Sequence, residues 1–508
     1  MTFISRILGF ARDVVIARLF GATSGADAFF VAFRIPNFWR RLFAEGSFSQ
    51  AFVPILTEYK SQRSHEEVQE LVDRVTGTLG VVLFGVTLIG VVASPLVVML
   101  FAPGFLDEPD RYGMTVEMLR ITFPYLLFVS LAALASGVLN TYGRFGVPAF
   151  TPVFLNIAMI VAAIWLAPHL ENPITALAWG VFFGGLIQLA FQLPFLNKIR
   201  LLPRPRWGWK DSGVRRVIKL MVPALFGVSV TQINLLFDTL IASFLVAGSV
   251  SWLYYSDRLV EFPLGVFGIA LATVILPSLS QKHTEAAPEE FSRTLDWALR
   301  WVLLIGAPAT LGLLLLAGPL LITLFQYGEF SAHDAEMSTR SLLAYSFGLT
   351  AYISIKVLAP AFYARQDMRT PVRIGIIAVL ANLVLNLALV FPLAHAGLAL
   401  ATALAAFINA GLLYRALRSQ NIYQPQVGWG KFMARVLGAN AVMALVLFIG
   451  VGEISTWLQW QAVTRGSYLL LLIGSGALVY LMSLHLAGVN LKALLKPETG
   501  QALPRQDG

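Results

Sequence analysis

Long apolar runs, separated by short breaks that are polar or contain Pro and Gly, extend from one end of the chain to the other. A helix needs about 20 apolar residues to cross the hydrocarbon core of a bilayer, and most runs reach that length. The pattern therefore predicts an all-α polytopic membrane protein with about fourteen transmembrane helices. The predicted spans are 2–21, 27–56, 75–101, 116–141, 147–167, 174–196, 217–246, 250–280, 296–325, 338–362, 371–393, 396–417, 432–451 and 466–487. The first, second, seventh and eighth are weaker because they carry charged residues.

Composition supports this class. The chain has 508 residues, of which 57% are hydrophobic and 13% charged, whereas soluble domains carry about 25% charged residues. The deficit excludes a cytosolic enzyme, a disordered scaffold and a typical nucleic-acid binder. Zero cysteines exclude disulfide frameworks, thiolate metal sites and cysteine nucleophiles. In a membrane protein, the net charge of +9 is typical of basic cytoplasmic loops rather than of a nucleic-acid partner.

Basic residues in the loops predict the orientation. With the N-terminus inside, every second loop is rich in Lys and Arg, and the loops between them are poor in both. The strongest inside loop is the basic stretch at 198–219, and the acidic stretch at 105–111 lies outside. Both termini are therefore predicted to be cytoplasmic. Residues 1–20 do not predict a signal peptide, because arginines interrupt the apolar run.

The two halves of the chain resemble each other at an offset of 221 to 225 residues. Examples are Asp13 and Asp238, Pro54 and Pro277, and the Ser94-Pro-Leu and Gly318-Pro-Leu motifs. Six helices followed by six in the same topology predict parallel repeats, two lobes that enclose a site near the midplane, as in transporters. The predicted domains are a six-helix lobe at 1–200, a basic cytoplasmic linker at 201–216, a second six-helix lobe at 217–420, two additional helices at 431–488 and a cytoplasmic tail at 489–508.

Several charged residues fall where lipid is expected. Each charge near the bilayer centre costs about 2.5–3.5 kcal/mol on insertion scales, so such residues usually face a watery cavity or a partner. Gly9 and Pro36 permit bends that would bring these charges towards one cavity. The residues concerned in the first two predicted helices are Arg6, Arg12, Asp27, Arg34 and Arg40.

The second lobe adds Tyr254, Arg258 and Glu261, whose i, i+4, i+7 spacing predicts one helix face. Arginine predominates over lysine at these positions, and its planar fork bonds phosphate oxygens through two nitrogens. The pattern therefore predicts an anionic ligand that carries phosphate. Two alternatives remain open. Arg18 and Arg41 could snorkel to the membrane surface. Structural ion pairs are the alternative for Arg6, Arg12, Arg40 and Arg258.

Catalytic motifs are missing from the sequence. It has no Walker loop, no His-Glu-x-x-His motif and no intramembrane pair of acids spaced to hold magnesium. We therefore expect neither an ATP-driven pump nor an enzyme. A membrane polyprenyl-phosphate glycosyltransferase would need a catalytic or metal-binding acid at the membrane face, which the sequence does not offer.

Three motifs carry a resemblance to a known family. They are Ser5-Arg-Ile-Leu-Gly-Phe-Ala-Arg-Asp13, Asp27-Ala-Phe-Phe-Val-Ala-Phe-Arg-Ile-Pro-Asn37 with Arg40-Arg-Leu-Phe-Ala-Glu-Gly46, and Trp252-Leu-Tyr-Tyr-Ser-Asp-Arg-Leu-Val-Glu-Phe-Pro263. On these motifs the sequence resembles the MurJ (MviN) family of lipid II flippases, within the multidrug/oligosaccharidyl-lipid/polysaccharide exporter superfamily, over essentially its whole length. Helix one is shorter here than in most members, so either Arg6 lies closer to the cytoplasmic surface or the start is truncated.

The resemblance implies a flippase that moves lipid II, undecaprenyl-pyrophosphate-linked disaccharide-pentapeptide, from the cytoplasmic to the periplasmic leaflet of the inner membrane. Essential cavity arginines of the family correspond to Arg6, Arg12, Arg40 and Arg258, with Asp27 as a further sensitive position. The last two helices would bear a groove for the polyprenyl tail. Expected partners are membrane lipids and cell-wall synthesis or division proteins, and no nucleic acid. An exporter of drugs or of another lipid-linked saccharide is the alternative, and the arginines argue against a cationic drug.

A cation site is a further hypothesis. Asp238 lies within the seventh predicted helix, where an unpaired carboxylate would be costly. Asn382 and Asn386 share one helix face, and Thr402 could add a hydroxyl oxygen to a shell suited to Na⁺. Relatives that look similar here are thought to bind sodium, although an acid can replace Asn386. The alternative is a polar cluster that only packs the helices.

Overall fold

The computed structural model describes residues 2–42, 48–285 and 287–489, and these residues contain helices and no strand. Ten helices in the described ranges are long and apolar enough to cross a membrane. One of them, residues 369–419, contains both the eleventh and the twelfth predicted spans. The chain kinks between these two spans, at Ala394, shortly after Pro392. These ten helices do not include the first, second and seventh predicted spans, and residues 234–243 of the seventh form a shorter apolar helix. The chain is thus a multi-pass membrane protein, and fourteen spans remain a prediction.

Contacts divide the chain into two compact units. Unit 1 comprises Met1–Ser251 with Tyr327–Ser331, and unit 2 comprises Trp252–Gln326 with Ala332–Gly508. The helices that lie in unit 1 are α1 (Thr2–Phe20), α2 (Ser24–Arg40), α3 (Ser49–Gln62), α4 (His65–Val92), α5 (Ser94–Phe101), α6 (Pro109–Thr122), α7 (Tyr125–Thr141), α8 (Gly146–Val161), α9 (Thr175–Lys198) and α10 (Ser212–Ser243).

Unit 2 contains most of α11 and all later helices. The most C-terminal of these helices, α17 to α19, pack on α13 within this unit. The bounds are α11 (Ser249–Pro263), α12 (Ile269–Thr284), α13 (Pro288–Phe325), α14 (Ala332–Phe347), α15 (Leu349–Tyr363), α16 (Arg369–Ser419), α17 (Trp429–Val451), α18 (Ile454–Gln459) and α19 (Ala462–Leu486).

Several predicted spans are interrupted or begin earlier than predicted. Pro124 and Gly348 lie between the two halves of the fourth and tenth predicted spans, and a π-helical turn at residues 264–268 separates α11 from α12. The third predicted span, 75–101, is divided between α4 and α5, and α4 begins ten residues before it, at His65. A capping box at Ser64 and Glu67 satisfies its first backbone N–H groups, so polar residues extend it beyond the apolar run.

Helix α10 packs on α3, α4 and α5 and belongs to unit 1. In the sequence repeat it corresponds to α1, which packs on α8. The sequence repeat therefore predicts that the second lobe starts at residue 217, whereas packing keeps α10 with the first half of the chain. The core beneath α10 is apolar and includes Phe52 and Ile55 of α3 with Val72 of α4.

A connecting segment, residues 200–211, lies along α4, and we call it the strap. Asp73 of α4 holds it: the Arg204 N–H donates to Asp73 Oδ1 at 2.7 Å, and the Arg206 N–H donates to the Asp73 carbonyl at 3.1 Å. The Gly208 N–H donates to Thr78 Oγ1 at 3.1 Å. A buried carboxylate thus gives the strap a defined course instead of leaving it as a free linker.

Asp296 of α13 makes an equivalent clamp 223 residues later. Its Oδ1 accepts from Tyr423 Oη at 2.8 Å, from the Gln426 N–H at 3.0 Å and from Trp429 Nε1 at 2.6 Å. This clamp holds the segment that leads from α16 to α17. The separation of the two acids falls within the 221–225-residue offset of the sequence repeat. In each half, a buried aspartate therefore accepts hydrogen bonds from the segment that follows the half's last helix.

Two backbone carbonyls that lack a helix partner because of a proline accept hydrogen bonds from side chains. Pro36 has no N–H to offer the Ala32 carbonyl one turn earlier, and Thr122 Oγ1 donates to that carbonyl at 3.0 Å. Pro308 likewise has no N–H to donate to the Leu304 carbonyl, and Tyr480 Oη of α19 donates to that carbonyl at 2.8 Å. Because an unpaired carbonyl is costly in an apolar environment, both bonds stabilise the helix pairings they join.

Candidate functional site

The predicted arginines of α1 occupy different environments. Arg6 is exposed, whereas Arg12 is buried, with 5% of its surface accessible. Arg12 pairs with the buried Asp13 through Nη2 at 2.6 Å and Nε at 3.0 Å, and its Nη1 donates to Asn156 Oδ1 of α8 at 3.1 Å. Asn156 also donates to the Ser5 carbonyl at 3.2 Å. Arg12 therefore joins α1 to α8, and Arg6 is accessible.

Asp27 is fully buried in the first turn of α2. Its Oδ2 accepts from Arg111 Nη2 of α6 at 2.6 Å and from the Gly248 N–H at 2.8 Å. Its Oδ1 accepts from the Ser251 N–H at 2.8 Å and from Ser251 Oγ at 2.5 Å. The carboxylate thus lies at the N-terminus of α11, where backbone N–H groups favour an anion. These contacts place Asp27 as a joint between α2, α6 and α11.

Arg34 and Arg40 are partly exposed on α2. Arg34 Nη1 donates to Thr239 Oγ1 of α10 at 3.0 Å, and Arg40 Nε donates to Asn37 Oδ1 one turn earlier at 3.0 Å. In both of these hydrogen bonds the acceptor is a neutral side-chain oxygen.

The second-lobe residues lie together on α11. Arg258 Nη1 pairs with Glu261 Oε2 at 2.8 Å, and its Nη2 donates to Tyr254 Oη at 3.1 Å. The guanidinium also lies 5.0 Å from the centre of the Tyr254 ring. The Arg258 side chain remains 33% exposed. Helix spacing predicted this grouping, and the structure confirms it; two neighbours orient an accessible guanidinium.

The predicted cation-site residues divide between the units. Asp238 belongs to unit 1, and Asn382, Asn386 and Thr402 belong to unit 2. In unit 2, Asn386 Nδ2 donates to Asn382 Oδ1 at 3.0 Å, and Asn382 Nδ2 contacts Thr402 Oγ1 at 3.4 Å. Thr402 Oγ1 in turn donates to the Leu398 carbonyl at 3.0 Å. This relay joins the two halves of α16, as a packing cluster does. Over the described ranges, no group of three His, Cys, Asp or Glu side chains is arranged to hold a metal.

Sequence reasoning missed two members of these networks, Arg111 and Asn156. Arg111 sits in a stretch that reads as an acidic loop, yet it is 1% exposed and pairs with Asp27. A signal was present in the repeat, because Arg111 and Asp334 lie 223 residues apart and both begin corresponding helices. Asp334 Oδ1 accepts from Trp252 Nε1 at 2.9 Å, a polar link at the corresponding place in unit 2.

Solved structures with low identity share this fold. An inward-facing multidrug resistance MATE transporter of the MOP superfamily matches with a TM-score of 0.66 at 13% identity, covering 82% of this chain and 95% of that one. An archaeal MOP superfamily transporter from Pyrococcus furiosus matches with a TM-score of 0.58, also at 13% identity, over 83% and 94%. The chain thus has the fold of MOP superfamily transporters.

Sequence relatives define the family within that fold. A family model described as lipid II flippase MurJ matches residues 16–467. The probable lipid II flippase MurJ of Vibrio cholerae is 54% identical over 97% of this chain and 95% of its own length. The Haemophilus influenzae counterpart is 48% identical over 97% and 99%. A solved lipid II flippase MurJ in an inward closed conformation has a TM-score of 0.81 and 26% identity over 97% and 98%. The chain belongs to the lipid II flippase MurJ family.

Proposed function

We propose that this protein moves lipid II from the cytoplasmic to the periplasmic leaflet of the inner membrane by alternating access, and that it supplies cell-wall synthesis. The observation that carries the proposal is family membership over nearly the whole chain, with a flippase relative 54% identical over 97% of it. It is tested by depleting the protein and asking whether lipid II becomes inaccessible to a probe added outside. Unchanged accessibility after depletion would contradict the proposal.

The contacts of the arginines support two different roles in this transport. Arg258 is accessible and oriented by Tyr254 and Glu261, and Arg6, Arg34 and Arg40 are exposed or partly exposed. We assign these four to the pyrophosphate, because a guanidinium fork matches phosphate oxygens. Arg12 and Asp27 are buried in contacts that join helices, and in this proposal they position the binding residues.

Membrane potential supplies a driving force for the proposed direction. When the inside of the cell is electrically negative, moving one negative charge outward is favourable and releases about 2.3 kcal/mol per 100 mV. A pyrophosphate diester carries about two negative charges, so its translocation gains about twice that amount. No nucleotide hydrolysis is needed for this bias.

We propose that the last two helices bind the lipid tail. Leu445, Phe448 and Leu470 of α17 and α19 are 60%, 73% and 70% exposed, and an apolar lateral surface suits a polyprenyl chain. Arg465 and Tyr480 fasten this pair to α13: Arg465 Nη1 donates to Gln326 Oε1 at 2.8 Å, and Tyr480 donates to Leu304. Anchored helices can keep a groove open beside the moving headgroup. The alternative is a role in packing or insertion only.

A photoactivatable prenyl analogue is therefore expected to crosslink within 432–451 and 466–487. Peptide mapping of the adduct measures this, and excess unlabelled lipid II should suppress the signal. Crosslinks confined to residues 1–200 would contradict the groove.

We propose the sodium site as an accessory to transport, formed by Asp238, Asn382, Asn386 and Thr402. If sodium acts there, transport and lipid II binding should fall when it is replaced by a bulky organic cation at constant ionic strength and potential. Asp238→Asn should remove that dependence, because it removes the only formal charge of the set. If transport is insensitive to sodium and Asp238→Asn is fully active, the residues form a packing cluster only.

The proposed orientation, with both termini cytoplasmic, is testable because the chain has no cysteine. Ser331 and Ser419 are both exposed, and they belong to a predicted outside and a predicted inside loop. A membrane-impermeant maleimide on intact cells whose outer membrane has been permeabilised should label the Ser331→Cys variant and leave Ser419→Cys unlabelled until the inner membrane is opened. The reverse pattern would invert the topology.

A further inference from the structure

The strap has a fixed position on α4. Its backbone is held by Asp73 and Thr78, and Gly77 permits the close approach, because a Cβ there would collide with the Arg206 backbone. The side chain of Gln69 adds a hydrogen bond to the Leu202 carbonyl at 3.0 Å. A segment held by its backbone presents its side chains in a constant arrangement.

The composition of α4 shows at which level of the membrane the strap lies. The last charged residues of this helix are Asp73 and Arg74, and residues 75–92 carry no charge. At about 1.5 Å per residue, this uncharged part spans roughly the thickness of a hydrocarbon core. The strap contacts α4 at Asp73, Gly77 and Thr78, and it therefore lies where the apolar part of the helix begins.

Positive charge is concentrated on this segment. Exposed bases include Arg204, Arg206 and Lys210, and within the described ranges no ion pair involves any of these three. The acid of the strap, Asp211, pairs with Arg74 at 2.6 Å and caps α10, so its charge is already matched. The strap thus offers several cations to an external anion.

Two exposed tryptophans lie among these bases. Trp207 is 61% exposed and Trp209 is 47% exposed. Their rings stack with centres 6.0 Å apart and planes inclined by 9°. Exposed tryptophan is costly in water but favourable at the level of lipid headgroups, where its ring meets both apolar and polar surroundings.

We propose that the strap is a binding surface for the headgroups of anionic phospholipids. Arg204, Arg206 and Lys210 would contact the phosphates, and Trp207 and Trp209 would lie among the glycerol and upper acyl groups. The strap would thereby hold the α4 and α10 ends of unit 1 at one leaflet surface. This inference does not depend on the substrate that the protein transports.

Fluorescence quenching by brominated lipids tests the proposal on the full chain. The protein is reconstituted in nanodiscs of phosphatidylcholine with increasing phosphatidylglycerol whose acyl chains are brominated. The contribution of the strap is the difference between the native chain and Trp207→Phe/Trp209→Phe. We expect this contribution to be quenched preferentially by phosphatidylglycerol. The preference should fall roughly 5-fold for each base neutralised among Arg204→Gln, Arg206→Gln and Lys210→Gln, because a base near an anionic surface contributes about 1 kcal/mol.

Three comparisons make the experiment decisive. Arg415→Gln/Arg418→Gln neutralises exposed bases elsewhere and should leave the preference unchanged. Arg204→Lys/Arg206→Lys should retain it, because charge alone is required. Equal quenching by brominated phosphatidylcholine, or a preference that survives loss of all three bases, would overturn the proposal. Displacement by inorganic pyrophosphate at matched ionic strength would assign the bases to a pyrophosphate ligand instead, and would also overturn it.

Discussion

Arg258→Ala is expected to abolish complementation of a flippase-depleted bacterium while the protein still inserts and keeps its thermal stability. The side chain is 33% exposed, and two of its partners, Tyr254 and Glu261, lie on its own helix, where Glu261 is itself 46% exposed. Loss of charged hydrogen bonds to a phosphate costs about 1.5–3 kcal/mol, or roughly a 10- to 150-fold weaker binding of lipid II. Arg40→Ala is also expected to abolish complementation, because its partly exposed guanidinium is assigned to the same ligand.

Growth assays, lipid II binding and thermal unfolding in detergent together measure this result. The matched control is Arg340→Ala, which breaks another exposed pair on one helix, to Glu336 at 2.8 Å, and should be silent in all three assays. Arg258→Lys should rescue only in part, because an ammonium is a point charge without the planar fork. Normal growth of both the Arg258→Ala and the Arg40→Ala variants would exclude the phosphate-binding role.

Arg12→Ala is expected to abolish complementation by a different route. It leaves Asp13, which is 1% exposed, without its guanidinium, and it removes the hydrogen bond to Asn156. The variant should therefore unfold at a lower temperature, and Arg12→Lys should recover part of both stability and growth. The comparison with Arg258→Ala separates a positioning residue from one that contacts substrate.

Asp27→Ala is expected to produce the largest loss of stability among these variants. The substitution removes the buried partner of Arg111, which is 1% exposed, and leaves it the exposed Glu108 at 3.3 Å. Removing one partner of a buried pair costs about 3–5 kcal/mol. It also removes the acceptor for the Gly248 and Ser251 N–H groups. The apparent unfolding temperature in detergent should fall markedly.

A double-mutant cycle identifies the cause. Asp27→Asn keeps an oxygen for the Ser251 N–H but removes the charge, so it should be less damaging than alanine. Asp27→Asn combined with Arg111→Met should be more stable than the sum of the single effects implies, because no buried charge remains. Additive effects would show that the two side chains do not depend on each other, contrary to the 2.6 Å pair.

The sequence predicted well those features that depend on local spacing. Apolar runs of membrane-spanning length identified the helical membrane protein, because a bilayer requires backbone hydrogen bonds to be satisfied within each segment. Tyr254, Arg258 and Glu261 were grouped correctly, because the helical period alone places i, i+4 and i+7 on one face. The break at Ala394, between the predicted spans 371–393 and 396–417, lies beside Pro392, a residue that disrupts helices.

Only the tertiary structure decided which buried polar and charged side chains contact each other. Asp27 and Arg111 are 84 residues apart, and Arg12 and Asn156 are 144 apart; no periodicity links such positions, because their proximity depends on how helices pack. The same holds for Asp73, whose role appears only once the strap lies along α4. From the sequence alone, Arg12 and Arg258 were equivalent intramembrane arginines. Packing buries the first against α8 and leaves the second accessible, and this difference in desolvation assigns them different roles.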